Sequence, residues 1–366
     1  MSRIYHPNLI NQIVASGTEK DPLVLEGIVR KQGDGSLFLS WTGGGNGEPT
    51  LENVVKYRRS FDEGKSWTEE SILFAHPRKG MFNPALFVDG NSLYAFPGSY
   101  YSYYETGFSQ DMQTYISVSH DCGETFSIPH SIPGCINNIH IKCTRKVGNR
   151  WIFPCSWVEI TDKYWASASY ANKPCVVAGK EMVQPAPTQY KNGIEYYLDW
   201  HWNHTEFCGV LISDDEGSTF RICGRIGHEG TYFVEPMMAV LSDGTLVMLL
   251  RTKEHRLYES RSYDNGETWS DPVPTDIPSP ITKVCLLQDS VGRIYLLHNP
   301  NPGGRNPLSL WISEDDMHTW GTKIDLVQDL ESPLCYPDGF IDEERGKLCF
   351  AWDDRKHIYY SEYPLG

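Results

Sequence analysis

Short runs of apolar or alternating residues recur along this chain, and they are typical of β-strands. Clear examples are LVMLLRT (246–252), RLYESRS (256–262), RIYLLHN (293–299) and LSLWIS (308–313). Turn signals such as Ser-Asp-Gly at 242–244 separate the runs. No segment longer than ten residues shows helical periodicity. The pattern therefore predicts an all-β fold built from many short strands.

One turn sequence, Ser-x-Asp-x-Gly-x-Thr/Ser-aromatic, occurs five times with small variations. Its Asp side chain accepts hydrogen bonds from turn N–H groups, and its Gly supplies a positive φ. We therefore predict that the motif fastens hairpins and does not bind calcium or substrate. Only the last copy lacks the glycine, with Met317 in its place. The copies begin at Ser60, Ser119, Ser213, Ser262 and Ser313.

The spacing of these copies predicts a radial repeat. Successive copies are 59, 94, 49 and 51 residues apart, so a unit of about 50 residues recurs. Units of four short strands arranged radially form a β-propeller. We predict six blades in one domain over 1–366, with five motifs and one unit near 135–175 that has lost its motif. The last blade, about 336 to 362, has three strands; NLINQIVAS (8–16) or LEGIVRK (25–31) supplies the fourth and closes the ring.

Composition narrows the partners. The 366 residues are 40% hydrophobic, which is ample for a core, and the net charge is −15. That charge disfavours nucleic acid and anionic membranes, yet it allows a small anion held by local arginines. No apolar run reaches 18 residues, and the N-terminal segment has no apolar leader, so we expect a cytoplasmic protein. The ten cysteines are scattered singly, which favours buried free thiols over zinc sites. We expect no metal or organic cofactor, and the oligomeric state stays open.

The motif, in blades of this size, resembles the Asp-box (bacterial neuraminidase repeat) proteins of the sialidase superfamily, over about residues 25–362. The resemblance implies an exo-glycoside hydrolase that removes a terminal acidic sugar. Such enzymes bind the sugar carboxylate with three arginines and attack with a tyrosine that a glutamate activates. The segment VEPMMAVLSDGTLVMLLRT (234–252) is similar to the family's stretch with the glutamate and second arginine. It implies Glu235 as the base and Arg251 as a carboxylate ligand.

Two later segments extend the resemblance. LLHNPNPGGRNPLSLWISEDD (296–316) is similar to the stretch with the third arginine and implies Arg305. SPLCYPDGFIDEERGKLCFAWDD (332–354) is similar to the tyrosine region and implies Tyr336 as the nucleophile. Asp338, two residues further on, is within reach of the same site. A phenol suits the reaction because it is neutral and the substrate carboxylate does not repel it.

The chain departs from the family pattern in the first blade, so it looks like a divergent member. In LVLEGIVRKQGDGSLFLSW (23–41), Glu26 stands where the first arginine is expected, which reverses the charge that faces a carboxylate. The next loop, TGGGNGEPTLENVVKYRRS (42–60), contains no aspartate before the Asp-box. Glu48 and Glu52 are its available acids, and we prefer Glu48 as the general acid/base.

These departures leave two alternatives to a hydrolase. A propeller lyase acting on a uronic acid would use His140, which begins the third blade, or His201. His201 and Trp200 belong to an aromatic and histidine cluster, DWHWNH (199–204), that would serve as a sugar platform. YSYYETG (101–107) is a second aromatic cluster that would line the same rim. The other alternative is a propeller that binds carbohydrate without turnover.

Overall fold

A computed structural model describes residues 3–366, apart from positions 49 and 78 and nine short stretches: 101–111, 135–138, 161–164, 169–173, 178–179, 184–188, 192–193, 199–203 and 228–231. The regular structure of the described residues consists of 31 β-strands. Most belong to six antiparallel sheets, which are the blades of a β-propeller. The prediction of an all-β, six-bladed propeller is therefore confirmed.

The strands follow one another in chain order. Two precede the first blade: β1 (Ile4–Tyr5) and β2 (Ile10–Ser16). The first blade contains β3 (Val24–Lys31), β4 (Leu37–Gly43), β5 (Val54–Ser60) and β6 (Ser71–Ala75). The second contains β7 (Gly80–Asp89), β8 (Ser92–Tyr100), β9 (Met112–Ser119) and β10 (His130–Ser131). The third begins with β11 (Ile139–Ile141), β12 (Arg145–Val147) and β13 (Arg150–Ile160).

An insertion then interrupts the third blade. It contains β14 (Trp165–Ala168), β15 (Pro174–Val177), β16 (Lys180–Val183), β17 (Gln189–Lys191) and β18 (Ile194–Leu198). The blade resumes with β19 (His204–Ser213) and β20 (Arg221–Ile226). The fourth blade contains β21 (Val234–Val240), β22 (Leu246–Arg251), β23 (Arg256–Ser262) and β24 (Val273–Pro278). The fifth contains β25 (Cys285–Gln288), β26 (Ile294–His298), β27 (Leu308–Ser313) and β28 (Thr322–Gln328). The sixth contains β29 (Cys335–Asp342), β30 (Lys347–Asp353) and β31 (His357–Pro364).

The N-terminal segment closes the ring. Strand β2 pairs antiparallel with β31 and so becomes the fourth strand of the sixth blade. The first of the two predicted segments, 8–16, is thus the closing strand. The second, 25–31, instead lies in β3, the innermost strand of the first blade. Strand β1 pairs with β28 and extends the fifth blade.

The prediction of a lost repeat near 135–175 is wrong. Strand β13 pairs with β19 across the insertion, so the 94-residue interval contains one blade and not two. The insertion adds its β15–β16 hairpin to β6 of the first blade. The blade without an Asp-box is the sixth. The spacing of the motifs is misleading here because the insertion between the paired strands β13 and β19 is nearly as long as a repeat unit.

The core lies between neighbouring blades. Strand β26 (IYLLH) is buried along its whole length because both of its faces are covered, which explains its continuous apolar run. One cluster joins Trp41 of the first blade to Tyr360 of the sixth, and another joins Ile152 of the third to Met248 of the fourth. The eight described cysteines are free, and all but Cys223 are buried, as the sequence predicted for them.

The Asp-boxes fasten their hairpins as predicted. In the first copy, Ser66 donates its backbone N–H to Asp62 Oδ1 at 2.8 Å, and Gly64 donates its N–H to Ser60 Oγ at 2.8 Å. Bonds to Ser66 lower the pKa of Asp62 to about 2. The same pair of backbone bonds recurs in all five copies. Gly64 has φ +85 and packs closely against the ring of Tyr360 in the sixth blade, so the turn also joins two blades.

The direction of the strands separates the two ends of the ring. Each Asp-box follows the third strand of its blade, and the strands are antiparallel. The Asp-boxes therefore lie at the end opposite to where the innermost strands begin. Within the part of the chain that is described, there is no helix long and apolar enough to cross a membrane.

Candidate active site

Three of the predicted site residues share an unusual backbone position. Glu26, Glu235 and Tyr336 have φ values of +59°, +47° and +48°, in the left-handed region that favours glycine. Each lies within the first three residues of an innermost strand, where the pairing register with the next strand shifts. Such strained residues persist where the surrounding structure holds them, and they cluster at functional sites. The three side chains therefore define a candidate site on the axis, at the end away from the Asp-boxes.

Two predicted arginines converge beside Tyr336. Arg251 Nη2 and Arg305 Nη2 both donate to the carbonyl oxygen of Ile281, at 3.1 and 3.2 Å. The Arg305 guanidinium also lies over the Tyr336 ring, 4.7 Å from its centroid. Arg251 forms an ion pair with Glu235. Two guanidinium groups brought to one carbonyl repel each other, and a bound anion relieves that repulsion.

The surroundings shift the pKa of Tyr336 upwards and the pKa of Glu235 downwards. Tyr336 is 8% exposed; burial and the Glu235 carboxylate raise its pKa to about 12. Burial opposes ionisation of Glu235, yet Arg251 overcomes it and lowers the Glu235 pKa to about 2. At neutral pH, Tyr336 is therefore a phenol and Glu235 a carboxylate. That combination is the protonation state needed for a tyrosine nucleophile and its base.

The pKa of Glu48 is shifted upwards, opposite to that of Glu235. Glu48 lies in the loop between β4 and β5, where burial raises its pKa and the nearby Arg355 opposes the shift. Arg355 Nη2 is 3.4 Å from Glu48 Oε1. Glu48 is also within electrostatic reach of Arg305 and Tyr336, whereas Glu52 in the same loop is exposed. Two carboxylic acids with pKa values shifted apart supply an acid and a base from one site.

Glu26 does not make the site repel anions. Its carboxylate accepts hydrogen bonds from Lys142 Nζ at 2.5 Å and Lys283 Nζ at 3.3 Å. All three are buried, with exposed fractions of 4%, 2% and 0%. The prediction that Glu26 reverses the local charge is therefore wrong, because two ammonium groups outweigh its one carboxylate. Lys142 directly follows β11 in the third blade, and Lys283 lies just before β25 in the fifth.

The remaining predicted residues lie in different places. His140, on β11, is within electrostatic reach of Glu235, and burial together with Lys142 lowers its pKa to about 3, so its imidazole is neutral. Asp338 lies further along β29, towards the Asp-box end, where it forms an ion pair with Arg30. It lines a cavity of about 750 Å³ near the Asp-box end. Trp200, His201 and the aromatic cluster at 101–107 lie outside the described residues.

Sequence reasoning missed part of the site. Lys142, Lys283, Arg355 and Asp353 were not singled out. Arg355 follows the apolar strand β30 just as Arg251 ends the apolar strand β22, so a signal for it existed. Asp353 is fully buried and accepts the backbone N–H of Glu26 at 2.8 Å; burial raises its pKa to about 7. The lysines carried no local signal.

The site is cationic within an acidic chain. Its five basic residues outnumber its four carboxylic acids even when every acid is ionised, whereas the whole chain carries −15. The basic residues are Lys142, Lys283, Arg251, Arg305 and Arg355, and the acids are Glu26, Glu48, Glu235 and Asp353. The described residues contain no group of three or more His, Cys, Asp or Glu that could hold a metal ion. This arrangement favours an anionic ligand and supplies groups for proton transfer.

The repeats and the fold define a BNR-repeat β-propeller. The family model for a BNR repeat-like domain matches residues 35–349, and the chain belongs to that family. A curated relative, an anhydrosialidase of the leech Macrobdella decora, is 30% identical over 112 residues, which is 28% of this chain and 15% of that protein. This chain thus aligns with only a small part of that relative.

Two solved structures share the fold. The Hadza microbial sialidase Hz136 superposes with a TM-score of 0.71 at 15% identity, over 94% of this chain and 66% of that one. A protein of unknown function from Dyadobacter fermentans superposes with a TM-score of 0.73 at 15% identity, over 99% of this chain and all of that one. At such identities the likeness shows the six-bladed fold alone, and activity must be argued from the residues of the site.

Proposed function

We propose that this protein is an exo-glycoside hydrolase that removes a terminal acidic sugar, sialic acid or a related nonulosonic acid, with retention of configuration. The observation that carries the proposal is the convergence of Arg251 and Arg305 on one carbonyl beside Tyr336 and Glu235. Guanidinium groups bind carboxylates through paired charge-assisted hydrogen bonds. A carboxylate held there lies next to the phenol that would attack the same sugar.

The first half of the reaction forms a covalent intermediate. The Tyr336 oxygen attacks the anomeric carbon, and its proton passes to the Glu235 carboxylate. Glu48, in its protonated form, donates its proton to the departing glycosidic oxygen as that bond breaks. The substrate carboxylate competes with Glu235 for Arg251, so binding loosens the ion pair and makes Glu235 a stronger base.

The second half releases the sugar. The Glu48 carboxylate removes a proton from a water molecule, and the water oxygen attacks the anomeric carbon on the face that the leaving group vacated. The bond to Tyr336 breaks, and the phenol regains its proton from Glu235. Two inversions give net retention, and both carboxylic acids return to their starting states.

A small panel of fluorogenic glycosides tests the proposal: N-acetylneuraminic acid, its deaminated analogue, glucuronic acid and rhamnose. We expect turnover of a nonulosonic acid. Tyr336→Phe should reduce kcat by about 10³-fold or more, since removal of a nucleophile costs at least this much. Tyr295→Phe is the control, because it removes a hydroxyl from another buried tyrosine that bonds Asp289 at the Asp-box end.

The other outcomes separate the alternatives. A product with ultraviolet absorbance from a new double bond would indicate a lyase in which the neutral His140 removes a proton. Binding without turnover of any glycoside would indicate a carbohydrate-binding propeller. Wild-type rates in Tyr336→Phe would refute the nucleophile.

A covalent probe addresses the same step. A sialidase of Trypanosoma rangeli, 14% identical to this chain with a TM-score of 0.65, has been solved as a covalent intermediate with 2,3-difluorosialic acid. Fluorine at the adjacent carbon slows departure of the sugar by destabilising the cationic transition state. If Tyr336 is the nucleophile, the same compound should label it.

A further inference from the structure

Arg355 gives the site a third guanidinium, which comes from the sixth blade and not from the first, where the family pattern has its arginine. It lies in the turn between β30 and β31, with φ +66. Arg251 ends the second strand of the fourth blade, and Arg305 lies between the second and third strands of the fifth. Arg355 occupies the corresponding connection of the sixth. Three consecutive blades thus present arginine at the same end of the ring, whereas the first blade presents Glu26.

The turn that carries Arg355 is fixed to the site. Asp353 Oδ1 accepts the backbone N–H of Arg355 at 3.0 Å, and Asp353 Oδ2 accepts the backbone N–H of Glu26 at 2.8 Å. The Arg355 side chain is 40% exposed, so it faces the solvent side of the site. Its charge acts on both Tyr336 and Arg305. Arg355 is therefore held beside the groups that would receive the substrate carboxylate.

We propose that Arg355 is the third guanidinium of the carboxylate site, and that it pairs with Glu48 until the substrate carboxylate replaces it. The proposal rests on the proposed function. In the free protein, the Arg355 guanidinium pairs with the Glu48 carboxylate, with Nη2 3.4 Å from Oε1. A substrate carboxylate beside Arg305 competes for the same guanidinium. Glu48 then loses its partner, gains a negative neighbour, and takes up the proton that it later gives to the leaving oxygen.

The other charges around Glu48 do not replace Arg355. Arg305 and Lys142 also favour its ionised form, but more weakly than Arg355, while Glu26 disfavours it. Glu48 in turn raises the pKa of Asp353 and of Tyr336, which shows that these acids share its surroundings. Burial is the largest influence and favours the neutral acid. Loss of Arg355 as a partner therefore moves Glu48 towards protonation, and the substrate's own charge acts in the same direction.

Calorimetry of proton uptake tests this coupling without turnover. The full chain is titrated with free N-acetylneuraminic acid between about pH 5 and about pH 7, in buffers with different ionisation enthalpies. The number of protons taken up on binding follows from the dependence of the heat on the buffer. We expect net uptake that peaks between the pKa of Glu48 in the free protein and its pKa in the complex. Glu48→Gln should still bind the sugar, but with the uptake abolished.

Arg355→Gln should weaken binding by about tenfold to a hundredfold, as expected for a lost charge-assisted contact, and should also abolish most of the uptake. Arg355→Lys should restore part of both. Arg150→Gln is the matched control, because it removes an arginine that pairs with Asp214 and Glu267 at the Asp-box end. Thermal unfolding verifies that each variant is folded.

The outcomes are separable. Binding without proton uptake in the wild type, or uptake unchanged in Arg355→Gln, would overturn the role of Arg355 and leave the proposed function standing. Failure of the wild type to bind any nonulosonic acid would refute the proposed function, and this inference with it.

Discussion

Removal of the Glu26 carboxylate should destabilise the fold strongly. In Glu26→Gln, Lys142 and Lys283 lose the anion that both contact, at 2.5 and 3.3 Å. With side chains 2% and 0% exposed, both lysines are shielded from bulk solvent. Loss of one partner of a buried ion pair costs about 3–5 kcal/mol, because the other charge remains uncompensated. That is a large part of the ~5–15 kcal/mol by which a native protein is stable.

Guanidinium chloride unfolding at about pH 7 measures the loss as a lower midpoint. Glu344→Gln is the matched control: Glu344 also pairs with a lysine, Lys31, at 2.7 Å, but it is 84% exposed. An exposed pair contributes ~0–1 kcal/mol, so this control should shift the midpoint little. Equal shifts for the two variants would refute the claim that Glu26 neutralises a buried cationic pair.

The pH dependence of the difference has a defined sign. Burial opposes ionisation of Glu26, but Lys142 and Lys283 dominate and lower its pKa in the folded protein. A group of this kind contributes stability above its unfolded pKa of about 4.3, and the contribution is lost as pH falls through the folded value. The gap between wild type and Glu26→Gln should therefore be full at neutral pH and should narrow below about pH 4. A gap independent of pH would contradict this assignment of charge.

Two further predictions follow from the Asp-boxes and from the acid–base pair. Gly64→Ala should destabilise the protein by ~2–5 kcal/mol, because φ is +85 and the new Cβ would lie 2.4 Å from the Tyr360 ring. Gly244→Ala, at φ +87 with nothing within 4 Å, should cost only ~1–2 kcal/mol; equal losses in chemical unfolding would contradict the packing role of the turn. In a pH–rate profile of kcat/KM, deprotonation of Glu48 should set the alkaline limb. Glu235, with its pKa lowered to about 2, should produce no acidic limb above about pH 4, and a limb there that Glu235→Gln removes would refute its assignment as the ionised base.

The fold and the proximity of Glu235 to Arg251 could both be predicted from local sequence. The Asp-boxes identified the hairpins because the Ser, Asp and Gly of each copy bond within a few residues of one another. Glu235 and Arg251 fall on adjacent strands joined by one short turn, so a single segment was enough to associate them. Features of this kind depend on residues close in the chain, and a sequence read alone can recover them.

Contacts between distant segments were not recoverable in the same way. Lys142 and Lys283 meet Glu26 across 116 and 257 residues, and nothing near Glu26 in the chain indicates that two ammonium groups neutralise it. The insertion in the third blade was counted as a repeat because length alone does not reveal which strands pair. Arg355 follows an apolar strand as Arg251 does, but its partner Glu48 is 307 residues away in the chain, so local sequence does not associate the two.

Covalent trapping of Tyr336 is the most direct test of the central claim. The protein is incubated with 2,3-difluorosialic acid, its intact mass is measured, and the modified peptide is sequenced by mass spectrometry. The account predicts one adduct, carried by the Tyr336 oxygen, that forms more slowly in Glu235→Gln and is absent from Tyr336→Phe. An adduct on another residue, or sialoside turnover by wild-type protein that this compound never labels, would contradict a tyrosine nucleophile at this site.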